Sequence, residues 1–320
     1  MSSSNLYYIS QFKTIATIDD KYNLVRKIGK GATATVYMGY DTSKINGKQV
    51  EMYAFKVLKV INDDILTSFN NEVSILSLLS SEDNSSYYKE HSSKSILYKK
   101  NGKKYDIAYI QIEYLSNGEL FDYIFYPKKG LGENLSRLIF KSIIDEVIVI
   151  HNHNYAHRDL KTENIMLDDN FNVKICDYGF AIKNSNSIQS YCGTNGYIAP
   201  ELLMKLPFNG QANDIFALGV ILFVLVTGTM PFRTASPQDP YYAFIWRGEY
   251  EKFWAECKCK LSDNFMKLID GMICFNAQER VSIAEIVSSE WMKEGEYSEE
   301  NYKVLKKELA KRKKKINRKK

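Results

Sequence analysis

The segment His157-Arg158-Asp159-Leu160-Lys161-Thr162-Glu163-Asn164 crowds two acids, two cations and an amide into eight residues, just before the apolar Ile165-Met166-Leu167. An Asp can take a proton from a hydroxyl, a neighbouring Lys can steady an anion, and an Asn can ligate a hard cation. Together these suit phosphoryl transfer, which depends on positioning and charge neutralisation more than on covalent chemistry. A further acid, Asp177, follows 18 residues after Asp159 in Cys176-Asp177-Tyr178-Gly179. Upstream, Lys56 ends an apolar run, and Glu72 sits in a later run of helical period. On its own each is ordinary: a strand Lys is usually an edge charge, and an Asp beside Gly is usually a turn residue.

The elements that must hold these groups are legible in the spacing. Residues 28–37, Ile28-Gly29-Lys30-Gly31-Ala32-Thr33-Ala34-Thr35-Val36-Tyr37, set two glycines among β-branched residues and predict strand, tight turn and returning strand. Glycine lets backbone N–H groups approach phosphate oxygens, although a plain hairpin turn explains the same string equally well. Residues 51–58 predict a strand carrying Lys56, and 69–79 a helix carrying Glu72. Asn101-Gly102 predicts a hairpin between 95–98 and 107–114, after a polar, Ser-rich surface loop over 80–92. Leu135, Leu138, Ile139, Ile143, Ile144 and Val147 have the spacing of a core helix over 131–153, with His151 and His153 structural or solvated at its polar end.

These residues fill every fixed position of H-R-D-L-x-x-x-N, and the chain resembles a eukaryotic protein kinase of the serine/threonine type. Within that family it is similar to the calcium/calmodulin-dependent and AMP-activated group. The resemblance implies an α+β, bilobal fold with a small, mainly antiparallel β N-lobe holding one key helix, and a larger, mainly α-helical C-lobe. It assigns Ile28, Gly29, Lys30, Gly31 and Val36 to a loop over ATP, with Ala34 where a third glycine is usual. Ala54 and Lys56 match the V-A-I-K strand, Lys56 holding the α- and β-phosphates with Glu72 as its carboxylate. Ile112 guards the back of the nucleotide pocket, Glu113 and Leu115 meet the adenine edge, and Glu119 and Met166 complete the ATP set. The H-P-N segment common after the Glu72 helix is missing.

In the same resemblance Asp159 orients the substrate hydroxyl and accepts its proton, and Lys161 steadies the γ-phosphate. Thr194 touches both, while Asn164 and Asp177 hold Mg²⁺, Tyr178 replacing the Phe of D-F-G. Ser190 occupies the activation phosphosite with Arg158 to receive its phosphate; an unmodified loop serine is the alternative. Glu201, closing A-P-E, pairs with Arg280, and Asp214 anchors the catalytic-loop backbone, with Phe216 where Trp is common. Lys161 and Glu163 fit the serine/threonine type despite Thr162 in place of proline, and Phe180 leans toward serine. Glu119 and Glu163 match positions that read an Arg upstream of the acceptor, whereas Val224 stands where some relatives carry another Glu. The partners implied are ATP, protein substrates with Ser/Thr acceptors and an upstream kinase. A catalytically weak kinase-like scaffold is the alternative, though Lys56, Asp159, Asn164 and Asp177 are all present.

Composition bounds the rest. The 320 residues are 45% hydrophobic and 25% charged, ordinary globular values. The longest apolar run, 217–226, predicts a buried helix and is too short for a membrane span, so no transmembrane segment is expected. The start shows neither signal peptide nor myristoylation site. Five irregularly spaced cysteines and four histidines favour neither a disulfide framework nor zinc, and a reducing cytoplasmic or nuclear setting fits. Net charge is +5, but residues 303–320 hold eleven Lys or Arg and one acid, +10, which leaves −5 for residues 1–302. A mildly acidic body suits a basic substrate better than nucleic acid. The expected organisation is a flexible leader (1–21), a kinase domain (22–292, N-lobe 22–113 and C-lobe 117–292) and a basic C-terminal helical tail (293–320). In the tail Ser298 caps, Tyr297 staples onto Tyr302, and Tyr302, Leu305 and Leu309 form a thin apolar stripe. Docking and solvation are equally open for that helix; its partner is unknown, and nuclear import, acidic lipid, calmodulin and pseudosubstrate inhibition stay unranked.

Overall fold

A computed structural model describes residues 6–31, 33–59, 62–80, 87–99, 101–127, 129–185 and 187–318. The chain divides into two compact units, Met1–Ser116 and Asn117–Lys320.

The first unit holds β1 (Leu6–Tyr8), β2 (Ala16–Ile18), β3 (Tyr22–Lys30), β4 (Ala34–Asp41), β5 (Gln49–Glu51) and β6 (Tyr53–Leu58), with β4 and β6 buried along almost their whole length. Helix α1 (Asp63–Ser80) follows, then β7 (Tyr88–Lys99) and β8 (Lys104–Glu113). The turn between β7 and β8 holds Gly102 at φ +78°, the left-handed region that glycine enters at no steric cost. The strands close an antiparallel barrel in the order β2-β3-β4-β6-β8-β7, with β7 returning to β2. Its interior is filled by Tyr22, Leu24, Phe55, Val57, Leu97 and Ile107 with their neighbours. Helix α1 buries Phe69, Glu72, Val73, Ile75, Leu76 and Leu79.

Two expectations need correction here. Residues 6–18 are not a loose leader. β1 pairs with β5, and Tyr7, Ile9 and Phe12 cover Val25, Met38, Tyr40, Val50 and Met52 on the outside of the sheet. β2 hydrogen-bonds to β3 on one side and β7 on the other, burying Ala16 and Ile18. A three-residue strand is too short to display a period, yet its two ladders pair its backbone fully. The polar stretch 80–92 likewise ends in strand from Tyr88. There Glu90 accepts from Tyr22, Tyr109 and Lys21, so a side chain that suggested solvent is held by hydroxyls. Residues 81–86 of that stretch lie outside the described residues.

The second unit opens with β9 (Gly118–Glu119) and α2 (Leu120–Phe125), then α3 (Gly132–Asn152) and β10 (Tyr155–Ala156). β11 (Ile165–Leu167), β12 (Val173–Ile175) and β13 (Ile182–Lys183) follow. The helices after them are α4 (Pro200–Leu203), α5 (Gly210–Thr227), α6 (Tyr242–Trp246), α7 (Tyr250–Cys257), α8 (Asp263–Ile273), α9 (Ile283–Val287) and α10 (Glu290–Lys293). Helix α5 is long and apolar enough to cross a membrane by composition, with mean hydropathy 1.7, but 83% of it is buried inside the protein. It is the core helix: Asn209 caps its start, Gly228 at φ +83° ends it, and α3 and α8 pack on it.

Residues 299–317 form α11, capped by Ser298 through the Asn301 N–H. Of the two readings of the tail the docked one holds: Leu305, Leu309 and Ile316 are buried and α11 lies on α2 and α3. The Tyr297 hydroxyl donates back to the Met292 carbonyl at 2.7 Å, and Lys141 lies over its ring.

Candidate active site

In the first unit, β3 and β4 meet at a turn closed by the Gly31 N–H donating to the Ala34 carbonyl at 2.9 Å. Ala32 lies outside the described residues. The register sets Gly29 beside Val36, Val36 beside Lys56, and Ala54 beside Ile112, so these residues are one strand spacing apart across β3, β4, β6 and β8. Lys56 Nζ is 2.7 Å from each carboxylate oxygen of Glu72. Glu72 is 6% exposed, so the charge of each offsets the cost of burying the other. The Glu113 N–H donates to the Tyr87 carbonyl, which fixes the chain just before Leu115.

The second unit is organised from Asp214 on α5, which is fully buried. Its Oδ1 accepts the Arg158 N–H and its Oδ2 the His157 N–H, both at 2.8 Å, while His151 Nε2 lies 3.0 Å from Oδ2. His151 is thus structural. Arg158 is held at φ +66°, a left-handed conformation that costs a non-glycine residue about 1–2 kcal/mol and persists because these bonds fix it. Next in the chain, Asp159 accepts from the Thr194 hydroxyl at 2.7 Å and from Lys161 Nζ at 2.8 Å. Lys161 Nζ also donates to Thr194 Oγ1 at 2.6 Å, closing a triangle. Asn164 Nδ2 donates to the Asp159 carbonyl and to Asp159 Oδ2.

Asn164 and Asp177 are linked through the backbone: the Cys176 N–H donates to the Asn164 carbonyl, and β11 pairs with β12 between them. Asp177 is exposed, at φ +64°. Asp177 offers carboxylate oxygens and Asn164 an amide oxygen, its amide nitrogen being bonded to Asp159; hard oxygen donors of this kind fit Mg²⁺. Tyr178 is buried against the His157 ring, 5.0 Å between centroids. Burial lowers the His157 pKa. Its Nε2 lies 3.2 Å from the Cys176 carbonyl.

Around this centre Arg158 Nη1 donates to the Ser190 carbonyl (2.9 Å) and hydroxyl (2.6 Å), and its Nε to the Phe180 carbonyl. Arg280 and Glu201 form a buried fork-to-fork pair at 2.6 Å on both arms, with the guanidinium 5.0 Å from the Phe216 ring. Glu119 lies opposite Met166 in the β9–β11 register, and Glu163 accepts from the Thr162 hydroxyl. Sequence reasoning missed the His151–Asp214 contact and Asn117, whose side chain donates to the Asp168 carbonyl beside β11.

The protein kinase domain family matches residues 22–292. The chain is 31% identical over 281 residues to CBL-interacting serine/threonine-protein kinase 13 of Arabidopsis thaliana, covering 86% of this chain and 52% of that protein. It is 32% identical over 281 residues to CBL-interacting protein kinase 33 of Oryza sativa subsp. japonica, covering 86% and 57%. It is 31% identical over 277 residues to NUAK family SNF1-like kinase 1 of Homo sapiens, covering 86% and 39%. The chain thus spans about half the length of the first two relatives and less of the third.

Proposed function

This chain belongs to the protein kinase family, and from that membership we propose that it transfers the γ-phosphate of ATP to serine or threonine hydroxyls of proteins. The observation that carries the reading is the Asp159–Lys161–Thr194 triangle, hung on the buried carboxylate of Asp214. In the proposed reaction Asp159 orients the acceptor hydroxyl and takes its proton, and Lys161 steadies the transferring phosphate. Thr194 holds the two in register. Lys56, oriented by Glu72, binds the nucleotide phosphates. Asn164 and Asp177 would hold Mg²⁺, which supplies neutralisation of the phosphate charge.

Glu119 and Glu163 are the proposed readers of an Arg upstream of the acceptor, in keeping with the acidic balance of residues 1–302. Ser190, exposed with its hydroxyl on Arg158, is the proposed activation phosphosite: a phosphate there would meet a guanidinium already aimed at that oxygen. The test is phosphate transfer from labelled ATP to a basic serine peptide. Wild type incorporates label and Asp159→Asn does not; equal incorporation by both would refute the reading.

A further inference from the structure

Helix α11 lies beyond the residues matched to the kinase family, yet it supplies groups buried within the unit those residues form. Its docked stripe is Leu305, Leu309, Arg312 and Ile316, each at most 5% exposed. Arg312 donates from Nη1 to the carbonyls of Tyr123 (2.9 Å) and Lys129 (2.7 Å), and from Nη2 to that of Gly130 (2.9 Å). Its Nε reaches Glu308 one turn earlier, at 2.9 Å. Tyr123 belongs to α2, and the residue four positions on is Pro127, which has no N–H, so the guanidinium supplies the donor that continuing the helix could not. The planar fork of Arg donates to these three carbonyls from two separate nitrogens, whereas a Lys ammonium radiates its donors from one point.

The acceptors are themselves fixed. A Cβ on Gly130 would fall 2.1 Å from the Val226 carbonyl, and the Leu131 N–H donates to Leu225 O, so this loop is clamped to the end of α5. The next residue of α11, Lys313, donates to Asn117 Oδ1 at 2.5 Å. Asn117 in turn donates its N–H to Leu167 O and its Nδ2 to Asp168 O, and accepts the Tyr123 hydroxyl. Lys306 reaches Asn172 Oδ1, and Asn172 donates to the Asp168 carboxylate. Two lysines of one helix thus grip the segment ahead of Glu119 and the turn joining β11 to β12. That hairpin begins directly after Asn164 and ends just before Asp177.

We propose that α11 is a positioning element of the catalytic unit. Through Lys313 and Lys306 it fixes Asn117–Glu119 and the β11–β12 hairpin, and through Arg312 the end of α2 and the loop after it, so it supports activity and is not a detachable inhibitor. The activity readout rests on the kinase reading above; the exchange readout does not. The experiment uses the full chain as wild type, Arg312→Ala, Arg312→Lys and Lys313→Ala. It measures kcat and KM for ATP and for a basic serine peptide, with amide hydrogen exchange over 117–131 and 165–177.

Lys313→Ala should raise KM for ATP about threefold to tenfold with kcat little changed, and quicken exchange at 117–120. A purely structural role would shrink the active fraction, lowering kcat at constant KM. Arg312→Ala should lower kcat/KM about a hundredfold, and Arg312→Lys should recover only part of it. Higher kcat/KM in any variant, or unchanged kinetics and exchange in Lys313→Ala, would overturn the proposal. Should Arg312→Ala fail to fold, Lys313→Ala still decides. Should wild type transfer no phosphate, the kinase reading falls and exchange at 117–120 and 165–167 decides the positioning role alone.

Discussion

Replacing Asp214 with Asn keeps the shape of the side chain and removes its charge. The carboxylate serves three groups with two oxygens: the N–H of His157, the N–H of Arg158 and the ring of His151. An amide offers one oxygen, and its NH₂ then faces a backbone N–H with nothing to accept. A net hydrogen bond to a charged acceptor is worth about 1.5–3 kcal/mol, and orphaning a buried donor costs about 1–3 kcal/mol more. With Asp214 fully buried there is no water to relieve either loss, and the sum is about 3–5 kcal/mol. At about 2–4 °C per kcal/mol for a unit of this size, Tm should fall by roughly 10 °C.

The kinetic consequence follows from the same bonds. Arg158 sits at φ +66° because Asp214 holds its N–H, and freeing it lets the backbone relax and carry Asp159 with it. A displacement of about 1 Å at a reacting group costs on the order of 100-fold in rate. Asp214→Asn should therefore lower kcat about 100-fold while KM for ATP stays within about twofold, since Lys56 and Glu72 keep their pairing. Scanning calorimetry and steady-state kinetics with ATP and a basic serine peptide measure both. A variant that melts within about 2 °C of wild type and retains its kcat would refute this account of how the catalytic segment is held.

Three further outcomes are expected. Glu72→Gln should lower kcat/KM for ATP about tenfold or more, because Lys56 loses the carboxylate charge that lies 2.7 Å from its ammonium; unchanged ATP kinetics would deny that pair a positioning role. Arg280→Ala strands the buried Glu201 carboxylate and should cost about 3–5 kcal/mol, read as a Tm drop of roughly 10 °C. Asp270 accepts from Trp254 Nε1, and burial pushes its carboxyl up to about 6, above the value of about 3.9 in an unfolded chain. Between those values the native state keeps a proton that the unfolded state gives up, so this group lowers stability as pH rises through that window. Asp270→Asn should melt above wild type near pH 7.5, with the gap closing toward about pH 4; a gap independent of pH would refute the assignment.

What was legible in the sequence was whatever repeats a fixed chemical string or a sustained period. His157–Asn164 and Tyr191–Glu201 are contiguous, and the structure joins them through Asp159, Lys161 and Thr194. The helix at 132–152 showed itself in the apolar spacing from Leu135 to Val147, which spans more than three turns. What escaped depends on partners distant in sequence. β2 is three residues long, and its two ladders reach Leu24 on one side and Leu97 on the other. Glu90 resembled any loop acid because the hydroxyls of Tyr22 and Tyr109 lie 68 and 19 residues away. Arg312 was counted among the charges of the tail, although it continues the Leu305–Leu309 stripe one turn on. Only the acceptor carbonyls at Tyr123, Lys129 and Gly130 separate it from a solvated cation.

The closed β-barrel of the first unit bears on where this polypeptide can be cut. The family match begins at Tyr22, after the strand that seals the barrel. A protein started at that residue would lose a stave from the cask, opening the flanks of β3 and β7 and exposing Leu24 and Leu97, both now at 0% exposure. Bared backbone rims with apolar interiors invite strand-to-strand association between molecules. The shortened form should therefore self-associate, whatever its remaining chemistry.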